Sequence, residues 1–332
     1  MKAVLLINLG TPDSTSTSDV RRYLKEFLSD PRVISFPAAI RWFFLRLVIL
    51  PFRPKKSAAA YRKVWLPEGS PLLVHSLKIA ENLQKLYPDD TKVFLAMRYG
   101  KPGIRKTICQ ILLGNFSELK IVPLFPQYSS AANGSAIEEV FTRMKTSQNF
   151  PAIKVISHFY SHPAFIEAFA KNISEARFAE EFILFSYHGL PEQHCKRSDP
   201  SGGYCLQSVG CCLRKSVQNR FCYRHHCFET TRLIVEKLGL KDSQYATTFQ
   251  SRLGPVPWIQ PFTDEYISEL YARGIKRLLV VSPSFVADCL ETLEELQIRL
   301  REDWLKLGGE ELKLVPSLNG NWALELKEIL DQ

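Results

Sequence analysis

With 332 residues, of which 45% are apolar and 23% charged, the chain has the balance of a folded protein and enough length for one large or two medium domains. Its 43 Lys and Arg outnumber 34 Asp and Glu, giving a net charge of +9 that favours an anionic contact such as a membrane surface or an acidic ligand. No basic run exceeds a few residues and no nucleic-acid motif occurs, so nucleic acid is not an expected partner.

The opening MKAVLLINLGTPDS is too short and too soon interrupted for a signal peptide. It reads as a first strand, Ala3–Asn8, followed by the turn Leu9-Gly10-Thr11-Pro12. Val20–Leu28 reads as a helix. The stretch Phe36–Phe52 (FPAAIRWFFLRLVILPF) is strongly apolar, but Arg41 and Arg46 break it. No run of about 18 uncharged apolar residues exists, so no bilayer-spanning helix is expected. These features point to the cytoplasm, where eight cysteines imply metal or redox chemistry rather than a disulfide framework.

Short β-rich runs then alternate with helical patterns, the signature of parallel sheets with crossover helices. Ser70–Leu86 is an amphipathic helix, Val93–Tyr99 and Leu119–Phe125 are strands, and Ile104–Leu113 is the helix between them. The small-residue loop Gln127–Ser135 opens a helix over Ala136–Lys145. A similar pattern starts again with strands Ile153–Phe159, Phe182–Phe185, Tyr245–Phe249, Arg277–Val281 and Leu312–Pro316. Helices near Pro163–Ala176, Cys227–Leu238, Thr263–Arg273 and Ala287–Leu305 alternate with them. The expected architecture is two α/β halves, residues 1–150 and 151–332, with a cleft between them.

Chemistry-bearing residues gather where the strands end, as they do in open α/β sheets. The strand Phe182–Phe185 runs into Ser186-Tyr187-His188-Gly189, and a histidine there suits proton transfer, metal ligation or both. A histidine that merely closes a strand is the plainer alternative. In FVADCLETLEEL (Phe285–Leu296), a helix advancing 100° per residue brings Asp288, Glu291 and Glu295 within an arc of about 60°, with Glu294 off that face. Three like charges in a row repel unless a cation or shared protons compensate; a solvated acidic face would also explain them. Imidazole and carboxylates at a cleft suit a divalent first-row metal such as Fe(II). Trp258, in the Pro/Gly-stiffened FQSRLGPVPWIQP, is either core or a wall for a planar ligand. Arg98 ends a strand and has the geometry to pair with a ligand carboxylate.

These residues resemble one family over nearly the whole chain: the ferrochelatases, which insert ferrous iron into a porphyrin. The resemblance runs through INLGTP (Ile7–Pro12), FLSDPRVI (Phe27–Ile34), GSPL (Gly69–Leu72), AMRYG (Ala96–Gly100), PQYS (Pro126–Ser129), FSYHGLP (Phe185–Pro191), FQSR…PW (Phe249–Trp258), TDE (Thr263–Glu265) and ADCLETLEEL (Ala287–Leu296). It implies two Rossmann-like, chelatase-type domains with the active site in the cleft between them. The family's metal-site histidine and glutamate fall on His188 and Glu291, and the other acidic positions of its helix on Asp288 and Glu295. Leu9, Tyr61, Arg98, Tyr128 and Trp258 fall on porphyrin-lining positions. The implied substrates are Fe2+ and protoporphyrin IX. The alternatives are coproporphyrin III or another metal in the same fold, or a haem- or iron-binding protein without chemistry. Phe36–Phe52 becomes a lip over the pocket that touches a membrane, with the protein cytoplasmic and peripheral on the inner membrane; the alternative is an ordinary helix packed on the core.

Six cysteines crowd into 195–227, at spacings C-x9-C-x5-C-C-x9-C-x4-C, in what looks like an insertion relative to compact members. No C-x-x-C pair is present, which disfavours a zinc ribbon. The resemblance to bacterial members with an internal cysteine-rich segment implies a [2Fe–2S] cluster, which needs four ligands; structural zinc and unmetallated thiols are the alternatives. The expected set is Cys205, Cys212, Cys222 and Cys227, with Cys211 as the alternative to its neighbour and Cys195 as the spare. Cys109 and Cys289 are expected to be small buried hydrophobes.

Overall fold

The apolar runs of the sequence become two four-stranded parallel sheets. The computed structural model describes residues 1–332 apart from 179–180, 209, 253 and 255. Residue 209 belongs to the cysteine segment and 253 and 255 to the loop before Trp258, so those parts of the two stretches lie outside the described residues. Two compact units result. The first comprises Met1–Phe125, Ser130–His158 and Asn319–Gln332; the second comprises Pro126–Ser129 and Phe159–Leu318.

In the first unit the strands are β1 (Lys2–Gly10), β2 (Thr91–Tyr99), β3 (Glu118–Pro123) and β4 (Ala152–Val155), in the order β2-β1-β3-β4. The helices are α1 (Thr17–Ser29), α2 (Ala38–Phe44), α3 (Leu50–Val64), α4 (Pro71–Gln84), α5 (Ile104–Leu113) and α6 (Ser135–Met144). β1 is the central strand and is buried almost throughout, so its sequence is continuously apolar rather than alternating. Ala3, Leu5 and Ile7 pack with Ile104, Ile108 and Ile111 of α5 and Ala136, Val140 and Met144 of α6. Each Leu- or Ile-sized side chain buried there contributes about 1.5–3 kcal/mol. α1 starts where the Ser16 hydroxyl accepts from the Asp19 N–H at 3.1 Å, satisfying one of the free donors of its first turn.

The second unit repeats the order with β5 (Phe182–His188), β6 (Tyr245–Gln250), β7 (Arg277–Val281) and β8 (Glu311–Leu314), arranged β6-β5-β7-β8. Its helices are α7 (Pro163–Ala176), α8 (Glu192–Arg197), α9 (Tyr223–Leu238), α10 (Thr263–Ala272) and α11 (Arg301–Lys306). Phe182, Leu184, Leu278, Val280 and Leu312 pack against Ile267, Leu270, Leu296, Leu300 and the fully buried Trp304. The Trp304 indole N–H donates to the Glu311 carbonyl at 3.0 Å.

The division of the chain differs from a cut at residue 150. β4 pairs with β3 and is the edge strand of the first sheet. The last helix, α12 (Ala323–Asp331), also belongs to the first unit, where Asn82 donates to the Gly320 carbonyl at 2.9 Å and Lys120 to the Leu330 carbonyl at 2.8 Å. Local pattern identifies a strand, but its partner is chosen by packing between distant segments. Among the described residues, three π-helical stretches also depart from expectation: Leu45–Ile49 joins α2 to α3, Ser130–Gly134 leads into α6, and Glu291–Leu300 leads into α11. Wider i→i+5 turns of this kind collect at functional sites. Among the described residues, no helix is long and apolar enough to cross a membrane.

Candidate active site

In the second unit β5 pairs with β6 on one side and β7 on the other, so the strand order reverses at β5. Crevices beyond the carboxyl ends of strands at such a point bind ligands in open α/β sheets. β5 runs three residues further than its apolar core suggested and ends on His188 itself. The partly exposed imidazole makes a 2.6 Å hydrogen bond from Nδ1 to the Gly189 carbonyl. A carbonyl only accepts, so Nδ1 carries a proton, and in the neutral tautomer Nε2 holds the lone pair. The His188 N–H donates to Ser284 Oγ (3.2 Å) in the loop after β7, and its carbonyl accepts from the Tyr223 hydroxyl (2.8 Å).

Gly189 is dictated by space. A Cβ there would lie 2.7 Å from the Gln250 carbonyl oxygen and 3.3 Å from Cε3 of Trp258. Trp258 is therefore a close neighbour of the turn after His188. Backbone hydrogen bonds from Ile259 N to Leu190 O (3.0 Å) and Glu192 N to Pro257 O (2.9 Å) hold its segment there.

The acidic row is only partly as the helical projection has it. Asp288 precedes the helix and is buried; its Oδ1 accepts from Thr292 Oγ1 (3.0 Å) and the Ser317 N–H (3.2 Å). Asp288 therefore helps shape the helix entry, a position that a continuous α-helix over Ala287–Leu305 does not describe. Glu291 and Glu295 lie on the π-helical stretch and are both partly exposed. Gln250, paired with His188 across β5 and β6, donates to the Glu291 carbonyl (2.9 Å) and to Glu295 Oε2 (3.3 Å). Ser251 adds a short hydrogen bond to the same carboxylate oxygen. Burial pushes the Glu295 carboxyl above its ordinary range, and the negative charge of Glu291 adds to this. The Ser251 hydrogen bond and the charges of His188 and Arg299 oppose it. Glu294 is not a solvated neighbour: it is buried and ion-paired with Arg299.

Gln250, Ser251, Ser284 and Tyr223 were missed as site residues by sequence reasoning. The first three sit at strand ends in FQS and SPS, where polar residues after apolar runs are visible. Nothing local marks Tyr223.

The remaining expected ligand-lining residues have varied surroundings. Leu9 and Arg98 stand at one level on adjacent strands, because Asn8 pairs with Met97 and Gly10 with Tyr99. Gly10 has φ +117°, and a Cβ there would fall on the Tyr99 carbonyl, so the LGTP turn requires glycine. Arg98 is already engaged: Nη2 binds Asp30 at 2.8 Å and Nε binds Ser135 Oγ at 2.7 Å. Tyr61 is a buried residue of α3, edge-on to Trp65. Tyr128, in the second unit, is partly exposed; its N–H donates to His226 Nδ1 at 3.1 Å and its ring lies 5.2 Å from that of Phe221.

All eight cysteines are unbridged. Cys195, Cys205, Cys211, Cys212 and Cys222 line one small cavity together with Asp199, Tyr204, Gln218 and Asn219. Sγ–Sγ separations are 3.6 Å for Cys211–Cys212 and 4.0 Å for Cys212–Cys222. The Cys195 thiol donates toward Cys222, which holds Cys195 above and Cys222 below the ordinary thiol range. Asp199 shapes the loop by accepting from the Tyr204 (2.7 Å) and Cys205 (2.9 Å) N–H groups. Cys227 does not line this cavity. It is fully buried within α9. Cys195, expected as the spare, lines the cavity and Cys227 does not, because α9 begins at Tyr223, four residues before the predicted start, and turns Cys227 into the helix interior. Cys289 is buried as expected, but Cys109 is exposed on α5. Among the described residues no group of three or more His, Cys, Asp or Glu is arranged to hold a single metal ion.

Phe36 just before α2, and Ile40, Trp42, Phe43, Leu47 and Val48 on α2 and the π-helical turn, are exposed, and Phe52 of α3 is 76% exposed. The Arg46 guanidinium lies over the Trp42 ring at 5.1 Å.

A family model described as Ferrochelatase matches residues 1–325 of this chain. A ferrochelatase of Coxiella burnetii (strain CbuK_Q154) is 49% identical over 320 residues, covering 96% of this chain and 89% of its own. A ferrochelatase of Legionella pneumophila (strain Lens) is 45% identical over 334 residues, covering 100% and 99%. Among solved structures, SirB from Bacillus subtilis with Fe3+ superposes with a TM-score of 0.55 at 11% identity, covering 99% of this chain and 96% of its own. SirB from Bacillus subtilis subspecies spizizenii in complex with cobalt, a sirohydrochlorin chelatase, gives 0.55 at 9% identity, covering 100% and 94%. At such low identity these likenesses establish the two-sheet chelatase-type fold and nothing finer.

Proposed function

The chain belongs to the ferrochelatase family, and from that premise we propose which of its residues carry the chemistry. The enzyme is a lyase that inserts ferrous iron into a porphyrin to form haem. The porphyrin is protoporphyrin IX. Insertion replaces two pyrrole N–H bonds by bonds to iron and releases two protons, so the site needs a proton acceptor and an anionic route for the cation.

The observation that carries the reading is the His188 imidazole, pinned through Nδ1–H to the Gly189 carbonyl beside the acidic residues. Its Nε2 lone pair is free to take a pyrrole proton or to bind iron. Glu291 supplies an anionic oxygen that the porphyrin nitrogens outcompete. Glu295, whose carboxyl burial and the charge of Glu291 push above the ordinary range, suits holding and releasing a proton. Gln250 and Ser251 orient it, while Asp288 steadies the helix entry. Trp258, beside Gly189, is an indole wall for the flat ring; Leu9, Tyr61, Arg98 and Tyr128 are further porphyrin contacts in this reading.

The cysteine cavity suits a [2Fe–2S] cluster by its chemistry: five thiols line it. Cys195, Cys205, Cys212 and Cys222 would hold the cluster, with Cys211 as a substitute for Cys212. When bound, such a group supplies one-electron redox capacity and cross-links the segment. The iron-insertion chemistry assigned here uses His188, Glu291 and Glu295. The exposed apolar side chains of 36–52, flanked by Arg41, Arg46 and Arg53, suit peripheral contact with an anionic membrane surface, consistent with a cytoplasmic protein at the inner membrane.

The test is anaerobic mixing of the protein with Fe2+ and either protoporphyrin IX or coproporphyrin III, following the loss of free-porphyrin fluorescence. Protoporphyrin IX should be consumed catalytically, and His188→Ala should lose orders of magnitude in turnover while remaining folded. Preference for coproporphyrin III would reassign the substrate. Stoichiometric binding without turnover would make the chain a carrier. Near-normal turnover of folded His188→Ala would remove His188 from the mechanism.

A further inference from the structure

The start of α9 is where the cysteine cavity meets the catalytic strand. Cys222 immediately precedes the helix and lines the cavity. Its neighbour Tyr223 is buried and donates its hydroxyl to the His188 carbonyl at 2.8 Å. His225, in the same turn, hydrogen-bonds the Cys212 carbonyl through Nδ1 at 2.8 Å. His226 donates from Nε2 to the Arg220 carbonyl (2.8 Å), accepts the Tyr128 N–H, and stacks on Tyr160 with centroids 3.7 Å apart. One helical turn therefore grips two cysteines of the cavity, the backbone of His188 and the backbone of Tyr128. Cys195 is tied in from the other side, on α8, which begins just after Pro191.

The connection to His188 is short and directional. The His188 carbonyl is held by Tyr223, and the next carbonyl along, that of Gly189, is the one that pins the imidazole Nδ1–H. The bond of the Tyr223 hydroxyl to the His188 carbonyl and the Gly189 N–H bond to the Gln250 carbonyl fix the His188–Gly189 peptide plane from both edges, so the Gly189 carbonyl that anchors the imidazole continues from a held peptide. Burial pushes that hydroxyl well above the usual tyrosine range, so it remains protonated and a donor.

We propose that Tyr223 is a positioning residue for His188, and that through it the state of the cysteine cavity sets the orientation of the catalytic imidazole. The proposal rests on the reading of His188 as the group that takes the pyrrole proton or binds iron. It reaches beyond that reading in giving the cysteine segment an effect on the chemical step, transmitted over the single residue boundary between Cys222 and Tyr223.

The experiment is a double-mutant cycle of Tyr223→Phe and Cys222→Ser in the full chain labelled with 15N-histidine. The readouts are the His188 ring-nitrogen resonances and the kcat-against-KM split for the porphyrin. Tyr223→Phe should shift His188 from its single Nδ1–H tautomer toward a mixture. It should also lower kcat roughly three- to tenfold, the range for losing one buried hydrogen bond, with KM within about twofold. Cys222→Ser should move the same resonances when Tyr223 is present and lose that effect in the Tyr223→Phe background. An unchanged His188 tautomer and kcat in folded Tyr223→Phe overturns the positioning role. An equal effect of Cys222→Ser in both backgrounds, or none in either, overturns the coupling. If Tyr223→Phe does not fold, Cys222→Ser decides by itself: unmoved His188 resonances refute the coupling. Full turnover of His188→Ala would sink the underlying reading while leaving the measured link between Tyr223 and His188 intact, so the two failures are distinguishable.

Discussion

Replacing Gly189 by alanine tests the geometry of the site with a single methyl group. The added Cβ would sit 2.7 Å from the Gln250 carbonyl oxygen, whereas carbon–oxygen contacts of this kind settle near about 3.3 Å. The turn after His188 and the end of β6 must therefore part by about 0.6 Å. The facing side offers little relief, since Cε3 of Trp258 would already be 3.3 Å away. The hydrogen bond from Gly189 N to that same Gln250 carbonyl, 2.7 Å long, would stretch with it. Overpacking at this level costs about 1–3 kcal/mol, a fall in Tm of about 2–10 °C for a unit of this size. A misplacement of about 1 Å at a catalytic group costs about a hundredfold in rate, so a shift of this size at His188 should lower kcat roughly tenfold. Steady-state porphyrin fluorescence under anaerobic conditions measures the rate, and a thermal melt measures the stability. Wild-type kcat and Tm in Gly189→Ala would refute the close packing of His188, Gln250 and Trp258 argued here.

Asp30→Asn should cost about 3–5 kcal/mol, since it leaves the largely buried Arg98 guanidinium without its counter-ion. Burial pushes the Asp30 carboxyl up, but hydrogen bonds from Ser135, the Arg32 N–H and Tyr99 and the charge of Arg98 together hold it below its ordinary range. Its contribution is therefore complete above about pH 4 and disappears as pH falls through the folded value. Urea titrations should show the gap between wild type and variant closing at acid pH, and a gap independent of pH would contradict this account. Cys195→Ser or Cys222→Ser should abolish the reddish-brown absorption, about two iron and about two sulfide per chain, of a [2Fe–2S] centre. Cys227→Ser should retain them, and the reverse pattern would return Cys227 to the ligand set. Phe52→Glu with Trp42→Glu should abolish co-sedimentation with anionic vesicles while leaving the melt unchanged; undiminished sedimentation would remove the 36–52 face from membrane contact.

Much of this protein is legible in its sequence because its signals are local. Continuously apolar runs such as Lys2–Gly10 and Arg277–Val281 are strands because both faces of a parallel strand are covered. His188 and Trp258 stand beside the glycines and prolines that punctuate strand ends, and Leu9 is followed at once by the glycine its turn demands. What the tertiary structure decided depends on segments far apart in the chain. β4 and α12 join the first unit because their apolar faces fit there, although they lie beyond residue 150. The ion pair of Arg98 with Asp30, 68 residues away, is likewise a product of packing. The Asp288–Glu291–Glu295 row follows a 100° projection only in part, because the chain enters the helix after Asp288 and then widens into i→i+5 turns. Cysteine spacing marked the segment but not the cavity: Cys195 entered it and Cys227 left it according to where α9 begins and which way it faces. Local pattern determines which residues form strands and turns; which distant side chains meet is set by how those elements pack, and no spacing along the chain encodes it.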